Sequence, residues 1–218
     1  MPTLALLHTA AANIEPFEQL SNELAPDITL QHVVDGSLLD EARSSGSVTP
    51  ELKRRITTAV LNAIDGGASG LLCTCSSIGP GVEVARPFTD RPVMRVDDPM
   101  ARIAVETGTR IAVAATLQST LTPTREIVQR AADEAGKKIE LVDVLCDTAW
   151  EAFASGDRQG YEDEIVKSLS AASTGVDVIV LAQASMAGAA DRLDSDVPVL
   201  TSPRSGFEAA IKTFKDSL

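Results

Sequence analysis

No stretch of this sequence approaches the roughly 18 consecutive apolar residues of a membrane-spanning helix, and its start lacks the basic segment and apolar run of an export signal. We therefore expect a protein that is neither exported nor membrane-bound, with the cytoplasm as its compartment. Cysteine is also scarce: there are 3, and their spacing is neither that of a disulfide framework nor that of a zinc site. The prediction is that the thiols are reduced.

Basic residues are few as well, 19 against 31 acidic ones, which gives a net charge of −12. No basic cluster is interleaved with aromatic residues, so nucleic acid is not an expected partner. The glycine-containing loop at residues 79–81 lacks both the G-x-G-x-x-G pattern and a terminal Lys-Ser/Thr, and no His/Cys/Asp cluster has metal-ligand spacing. These absences leave nucleotide and metal binding without support.

What the sequence does contain is an internal repeat. Residues Gly67–Ser77 and Gly175–Ser185 share an apolar strand pattern followed by small and polar residues, and in that alignment Cys75 corresponds to Gln183. Two further pairs of segments repeat at nearly the same offset: Leu4–Thr9 with Ile111–Thr116, and Arg91–Met94 with Val197–Leu200. A repeat of this length predicts two pseudo-twofold-related lobes with the active site between them.

Short apolar runs alternate with helix-period segments in both halves, which is typical of α/β proteins. We predict two lobes, residues 1–98 and 99–206, each a short, mainly parallel four-stranded sheet flanked by helices, and a C-terminal helix, residues 207–218, that can pack on the first lobe. The predicted strands are 3–8, 28–34, 69–74 and 93–96, then 110–115, 139–145, 176–182 and 197–200. The predicted helices are 17–23, 50–65, 101–107, 123–135, 161–170 and 207–214, with a further helix-like segment after the loop at residues 79–81 and a helix that starts near Met186.

Ligands of such sheets bind beyond the carboxyl ends of the strands. Six polar residues follow directly on predicted strands: Thr9, Asp35, Cys75, Thr116, Asp147 and Gln183. Cys75 is the strongest candidate for chemistry, because Ser76, Ser77 and Gly79 after it offer hydroxyls and backbone N–H groups that can bind a carboxylate or lower the pKa of the thiol. The alternative is a small buried residue without chemistry, which is also the simpler interpretation of Cys73.

Three segments together resemble the aspartate/glutamate/hydantoin racemase superfamily, which includes maleate isomerase and arylmalonate decarboxylase. They are Leu71–Gly79, the strand end His32–Asp35, and Asp177–Met186. The resemblance covers almost the whole chain, and its motifs are specific for the superfamily but not for a substrate. It implies chemistry without cofactor or metal on a small carboxylate or related carbonyl compound, in a protein that forms a homodimer or a larger homo-oligomer.

The resemblance also assigns roles to residues. In the racemases with two cysteines, one thiolate removes the α-proton and a thiol on the opposite face returns a proton. Cys75 matches the first cysteine, whereas Gln183 stands at the second. Ser76 and Ser77 match carboxylate-binding donors, as do Thr116, Ser119 and Thr120 in the second half. The other substrate-binding candidates at strand ends are Thr9, Asp35, Ala184 and Ser185.

Because a glutamine cannot exchange protons as a thiol does, three hypotheses remain open. A racemase would need another group on the second face, for which Cys146, His8 or Asp35 are candidates, since each general acid or base contributes about 10²–10⁴ in rate. A single-cysteine isomerase or decarboxylase needs Cys75 alone, with Gln183 as a hydrogen-bonding partner. A protein that only binds a small carboxylate needs neither. Asp35 and Asp147 have helix capping as their simpler role.

Overall fold

The computed structural model describes residues 2–217, and the chain divides by its internal packing into two units. One unit holds the residues up to Val96 together with those from Pro203 onward, and the other holds Asp97–Ser202. The sequence pattern placed these transitions at residues 98 and 206. The first transition comes earlier because a helix begins at Asp98, directly after Asp97, and packs within the second unit.

The first unit contains a sheet with the strand order β2-β1-β3-β4, in which every neighbouring pair is parallel. Its strands are β1 (Thr3–His8), β2 (Thr29–Val34), β3 (Gly70–Cys73) and β4 (Val93–Arg95). Its first helices are α1 (Ile14–Leu24), α2 (Gly36–Ser45), α3 (Pro50–Asp65) and α4 (Gly79–Glu83), and 3₁₀ turns occupy Ala11–Asn13, Ser76–Ile78 and Arg86–Phe88.

The second unit has the same architecture, with the strand order β6-β5-β7-β8 and parallel pairing throughout. Its strands are β5 (Arg110–Ala115), β6 (Glu140–Leu145), β7 (Val178–Leu181) and β8 (Val199–Thr201). Its helices are α5 (Asp98–Thr107), α6 (Gln118–Glu134), α7 (Ala149–Ser155), α8 (Arg158–Ala172) and α9 (Ala187–Ala190), with a 3₁₀ turn at Ala184–Met186. The last helix of the chain, α10 (Ser202–Asp216), belongs to the first unit from Pro203 onward.

The predicted α/β class, with two similar lobes that each carry a four-stranded parallel sheet flanked by helices, is thus confirmed. Helix α3 shows why a predicted helix forms. Thr49 caps it by accepting a hydrogen bond from the backbone N–H of Leu52 at 3.1 Å, and Pro50 takes the first position, where no N–H is needed. Buried residues recur at helical spacing, Leu52, Ile56, Val60 and Ala63, and each of the larger ones contributes about 1.5–3 kcal/mol.

The opposite face of the first sheet is covered by α1 and α10. Phe17 of α1 and Phe207 of α10 meet edge to face, with ring centroids 5.9 Å apart. Phe214, two helical turns further along α10, is fully buried in the same cluster, whose strand residues are Leu4, Leu6 and Leu72. Gly70 of β3 makes room for this ring, since a Cβ there would lie 2.9 Å from it. Helix α10 is therefore part of the first core.

Two helices and two helix starts differ from the sequence-based expectation; one of these starts is that of α10, which begins at Ser202 instead of near residue 207. Helices α2 and α7 were not predicted; both are short, and both end at a glycine with positive φ, Gly46 at 68° and Gly156 at 80°. Helix α6 begins at Gln118 instead of near Pro123, because a proline this close to the helix start removes only the hydrogen bond to the Ser119 carbonyl. No helix within residues 2–217 is long and apolar enough to cross a membrane.

The position of α10 in the first core leads to a stability prediction. We expect Phe214→Ala to lower the free energy of unfolding by about 3–5 kcal/mol, because it leaves a cavity between the helix and β3. Lys212→Ala, on the exposed side of the same helix, should change it by less than about 0.5 kcal/mol. Urea denaturation followed by circular dichroism measures both, and equal effects would contradict the packing of α10 on the first sheet.

Candidate active site

Cys75 lies two residues beyond the last residue of β3. Its backbone is extended, with φ −122° and ψ 115°, and the chain then turns at once into the 3₁₀ turn Ser76–Ile78 and helix α4. The residue is partly exposed, whereas Cys73, in the strand itself, is buried and donates its thiol hydrogen to the Cys75 carbonyl. The strand end thus presents one partly exposed cysteine and keeps the other in the core.

Four donors converge on the Cys75 sulfur. They are the Thr9 side chain, the backbone N–H groups of Ser77 and Ile78, and the Ser77 side chain. Burial raises the pKa of the Cys75 thiol, and these hydrogen bonds act in the opposite direction. The net shift is upward, so the sequence-based expectation of a lowered pKa is wrong here, because the desolvation of the thiolate outweighs its donors. A protonated thiol with donors already aimed at its sulfur is the resulting state at neutral pH.

A buried arginine supports the turn that carries these donors. Arg95, the last residue of β4, is 4% exposed, and its guanidinium lies 3.2 Å from a Glu83 carboxylate oxygen. The same guanidinium packs on Gly79, where an added Cβ would lie 2.4 Å from its central carbon. Gly79 is therefore a glycine because Arg95 needs the space, and the ion pair anchors α4 directly behind the 3₁₀ turn.

Gln183 occupies the corresponding place in the second unit. It lies two residues beyond β7 with φ −121° and ψ 137°, and a 3₁₀ turn follows it as it follows Cys75. The Gln183 Oε1 accepts hydrogen bonds from the Thr116 backbone N–H at 2.6 Å and from the Thr116 hydroxyl at 2.9 Å. Because a backbone N–H can only donate, the atom facing it must be the oxygen. The amide group of Gln183 consequently presents its two N–H donors away from Thr116.

Tyr161 connects to the same strand ends. Its hydroxyl lies 2.7 Å from the Ser185 hydroxyl, and burial raises the pKa of Tyr161 to about 12 despite hydrogen bonds with Ser185 and Thr116. The rings of Trp150, Phe153 and Tyr161 contact one another in that order at tilted angles, with centroids 5.1 Å apart at both contacts. Tyr161 is thus a neutral hydrogen-bonding group that holds the loop after β7.

The first turn of α6 carries a polar group without a partner. Ser119 is 7% exposed, and its hydroxyl has no hydrogen-bond partner among the described residues. Thr120, the next residue, is 1% exposed. Thr116 lies at the start of the same loop, directly after β5. A helix N-terminus with a buried, unpartnered hydroxyl is suited to an anion. This arrangement fits the carboxylate contacts that the resemblance assigned to Thr116, Ser119 and Thr120.

The other sequence candidates fall into two groups. Ser76, Ser77 and Thr9 lie in or beside the Cys75 loop and are buried, and Ala184 and Ser185 lie in the turn after Gln183. Asp35 accepts a hydrogen bond from the backbone N–H of Ser37 at 3.0 Å and caps α2, and Asp147 accepts one from the N–H of Thr148 at 2.9 Å. The capping interpretation of Asp35 therefore has direct support.

Neither Cys146 nor His8 provides an accessible replacement for a second cysteine. Cys146 is 1% exposed and packs in the apolar core with Tyr161 and Ile165, and burial raises the pKa of its thiol. His8 is fully buried on the sheet face of Leu4 and Leu6, whereas Cys75 packs against the cluster on the other face. Among residues 2–217, no group of three or more His, Cys, Asp or Glu side chains is arranged to hold a metal ion.

Sequence reasoning missed three contributors to these sites: the Ile78 N–H, the Arg95–Glu83 pair and the bond between Tyr161 and Ser185. Ile78 and Tyr161 act through a backbone group and a long-range contact, which leave no motif. Arg95 did leave a signal, since a charged residue at the end of a short apolar strand is rarely placed there without a partner.

The structure thus shows two α/β units of the same architecture, and the loop after the third strand of each sheet carries polar side chains, with a donor-bound thiol in the first unit. The sequence matches the Asp/Glu/hydantoin racemase family over residues 14–210. The chain therefore belongs to this family, and its activity is of the racemase or isomerase type. No curated protein matches the sequence.

Solved structures with the same fold include members with different activities. Glutamate racemase from Bacillus anthracis aligns with a TM-score of 0.72 and 15% identity over 99% of this chain and 82% of that one. Allantoin racemase from Klebsiella pneumoniae aligns with a TM-score of 0.63 and 18% identity over 100% of this chain and 89% of that one. A variant of arylmalonate decarboxylase in a sulfate-associated form aligns with a TM-score of 0.58 and 21% identity over 98% of this chain and 94% of that one. At these identities the structures establish the fold.

The support of the donor turn by Arg95 is testable. We expect Gly79→Ala to displace the guanidinium, to lower the free energy of unfolding by about 1–3 kcal/mol, and to slow alkylation of Cys75, because the turn that carries the Ser77 and Ile78 donors loses its anchor. Gly46→Ala, at a surface turn with nothing within 4 Å, is the control: it strains the backbone but should leave the rate of Cys75 alkylation unchanged. Equal alkylation rates in both variants would contradict the role of Arg95.

Proposed function

We propose that this protein is a cofactor-independent enzyme in which the Cys75 thiol transfers a proton on one face of a small carboxylate substrate. Gln183 serves as a hydrogen-bond donor and not as a second acid or base. The observation that carries this proposal is the orientation of the Gln183 amide, whose oxygen is fixed by two hydrogen bonds from Thr116.

The surroundings of Cys75 suit a proton donor. In a decarboxylation, CO2 leaves and the electron pair of the broken C–C bond stays on the α-carbon. The S–H bond of Cys75 then breaks and its proton passes to that carbon, so negative charge develops on sulfur until the thiolate takes a proton from solvent. The donors from Thr9, Ser77 and Ile78 are already placed there, and preorganised donors of this kind are typically the largest single contribution to catalysis. A raised thiol pKa keeps the proton on sulfur until the substrate carbanion needs it.

The second half supports a different role for Gln183. An amide neither gains nor loses a proton near neutral pH, so it cannot complete a two-base racemisation. Its two N–H groups can instead stabilise an oxygen that becomes negatively charged when the carbanion delocalises into a carboxylate or carbonyl. One-face chemistry of this kind corresponds to an isomerase or decarboxylase with a single catalytic thiol.

A carboxylate is the substrate group that the loops favour. The unpartnered hydroxyl of Ser119 at the start of α6, and the buried hydroxyls of Thr120 and Ser76, offer neutral donors for an anion. The structures of similar fold are named for glutamate, allantoin and arylmalonate, which are carboxylates or carbonyl compounds of comparable size. These names define the panel for an experiment.

The experiment is solvent deuterium incorporation into Asp, Glu, hydantoins, maleate and arylmalonates, followed by proton NMR and chiral analysis. We expect deuterium to enter a single configuration, and Cys75→Ser to lower the rate by at least about 10²-fold, because the hydroxyl is a far weaker proton donor. Cys146→Ser, a buried thiol outside the site, is the control and should retain the activity.

Other outcomes would contradict the proposal in different ways. Exchange into both configurations at similar rates would establish two-face racemisation. Binding of a panel compound without turnover, unchanged in Cys75→Ser, would establish a carboxylate-binding protein.

A second prediction concerns position 183. Gln183→Cys should create or increase racemisation of amino or hydroxy acids, because a thiol at this strand end can accept the donors of Thr116 that Oε1 now occupies. Chiral chromatography of the products measures the gain. A folded Gln183→Cys protein with reactive Cys75 but no racemisation would rule out position 183 as the second face.

Gln183→Glu is the matched variant for the donor role. A carboxylate keeps the two hydrogen bonds from Thr116 and removes both N–H donors. We expect it to lower kcat by about 10²–10³, the usual cost of losing an oxyanion donor. An unchanged kcat would mean that the amide N–H groups do not contact the reacting oxygen.

A further inference from the structure

A chain of hydrogen bonds runs through the two histidines of the protein on the sheet face opposite Cys75. The Glu18 carboxylate lies 2.8 Å from His32 Nε2, and His32 Nδ1 lies 2.9 Å from His8 Nε2. His8 Nδ1 lies 2.8 Å from the Thr74 hydroxyl, which is itself 3.1 Å from the Leu7 carbonyl. The chain thus connects a surface carboxylate on α1 with the residue before Cys75.

The geometry fixes where the hydrogens lie when both rings are neutral. Each bond needs one hydrogen, and an ionised Glu18 can only accept, so His32 must carry its hydrogen on Nε2. His32 Nδ1 then accepts from Nε2–H of His8, which leaves His8 Nδ1 bare. The Thr74 hydroxyl must therefore donate to His8.

One additional proton on the histidine pair reverses the direction of the last hydrogen bond, the one between His8 and the Thr74 hydroxyl. With three imidazole hydrogens, His8 Nδ1 donates to the Thr74 oxygen, and the Thr74 hydroxyl turns to the Leu7 carbonyl, its other partner. A second additional proton would place two hydrogens between the rings and break the bond. Burial and the charge of His32 lower the pKa of His8 to about 4, which agrees with this resistance to double protonation.

Several other charged groups on the covering helices form ion pairs away from the histidines. Glu23 of α1 pairs with Arg204 of α10 at 2.6 Å, and Lys215 of α10 pairs at 3.2 Å with Asp27, in the loop after α1. Glu15 of α1 bonds to Gln19, one turn along the same helix. The aromatic neighbour of His8 is Phe17. From these helices, Glu18 is the carboxylate that hydrogen-bonds to the histidine pair.

This series of hydrogen bonds ends next to both members of the Thr9–Cys75 hydrogen bond. His8 directly precedes Thr9, and Thr74 directly precedes Cys75, so the bond between the His8 ring and the Thr74 hydroxyl ties the ends of β1 and β3 together one residue before the thiol and its donor. A change in the direction of that hydroxyl, or a positive charge on the pair, acts on the thiol from this short distance.

We propose that Glu18, His32 and His8 are positioning residues that act through Thr74 on Cys75, with the number of protons on the histidine pair setting the direction of the Thr74 hydroxyl. This role rests on the proposed function of Cys75, but the hydrogen-bonded relay itself does not. It gives the reactivity of the thiol a dependence on pH beyond its own ionisation.

The relay is tested by imidazole NMR, because the chain has only 2 histidines. In protein labelled with ¹⁵N at histidine, we expect both neutral rings to carry hydrogen on Nε2. In Glu18→Gln the amide can donate as well as accept, so this fixed pattern should be lost. Glu15→Gln removes the same charge from the same helix and should leave the pattern intact. A neutral ring with hydrogen on Nδ1 in the wild-type protein would overturn the relay.

The coupling is tested by the pH profile of Cys75 alkylation with iodoacetamide, read for that residue by peptide mass spectrometry. We expect two inflections in the wild-type and Glu15→Gln proteins, the lower one at the pH where NMR shows the histidine pair gaining its proton. Below that inflection, alkylation should be about threefold to tenfold faster than a single ionisation extrapolates, because the added charge favours the thiolate by about half to one pKa unit. Glu18→Gln should move the lower inflection to lower pH, because the histidine pair loses the carboxylate that favours its protonated form.

A single ionisation, identical in the wild-type and Glu18→Gln proteins, would overturn the positioning role. Cys75 that fails to react in every protein would contradict the proposed function and with it this role, whereas the NMR pattern would still decide the relay. The two readouts therefore separate failure of the proposed function from failure of the relay.

Discussion

The parallel pairing of β1 with β3, and of β5 with β7, is the constraint on which the candidate sites depend. Leu7 pairs with Cys73 and Ala114 pairs with Leu181, so both strands of each pair end at the same edge. The backbone ladder continues for one more step, from Thr74 N–H to the Leu7 carbonyl and from Ala182 N–H to the Ala114 carbonyl. Only then do the chains diverge, and the next residues, Thr9 with Cys75 and Thr116 with Gln183, meet side chain to side chain.

The sequence alone predicted the strands and the residues at their ends, because a buried parallel strand must be apolar and must stop where polar residues begin. Helix α3 was equally clear, since its cap, first-turn proline and periodicity agree. Helices α2 and α7 gave no such signal, because each has fewer than three full turns and only one or two buried residues. The start of α6 was hidden by Pro123, which resembles a first-turn proline but lies inside the helix.

The chemistry of the strand ends was predictable in part. A thiol followed by two serines indicates hydroxyl and N–H donors, and the structure brings them to Cys75. The balance between those donors and burial could not be inferred, because desolvation depends on how many atoms of distant segments surround the sulfur. The same holds for His8 and His32, which are far apart in sequence and meet because β1 and β2 pair with Leu6 opposite His32. Side chains on adjacent strands and the same face then touch.

The two halves use one backbone arrangement for two different purposes, and the threonine after the first strand of each sheet explains how. Thr9 donates its hydroxyl hydrogen to the Cys75 sulfur, a bond that favours the thiolate. Thr116 donates to Gln183 Oε1, and its backbone N–H does the same. The Thr116 donors, which correspond to those that would stabilise a thiolate, thus bind the neutral amide oxygen of Gln183. The glutamine side chain is longer than a cysteine and carries its own N–H donors on the side away from Thr116. In the proposed function, the difference between cysteine and glutamine at this strand end therefore exchanges a group that releases a proton for one that donates hydrogen bonds to an oxygen, within the same backbone arrangement.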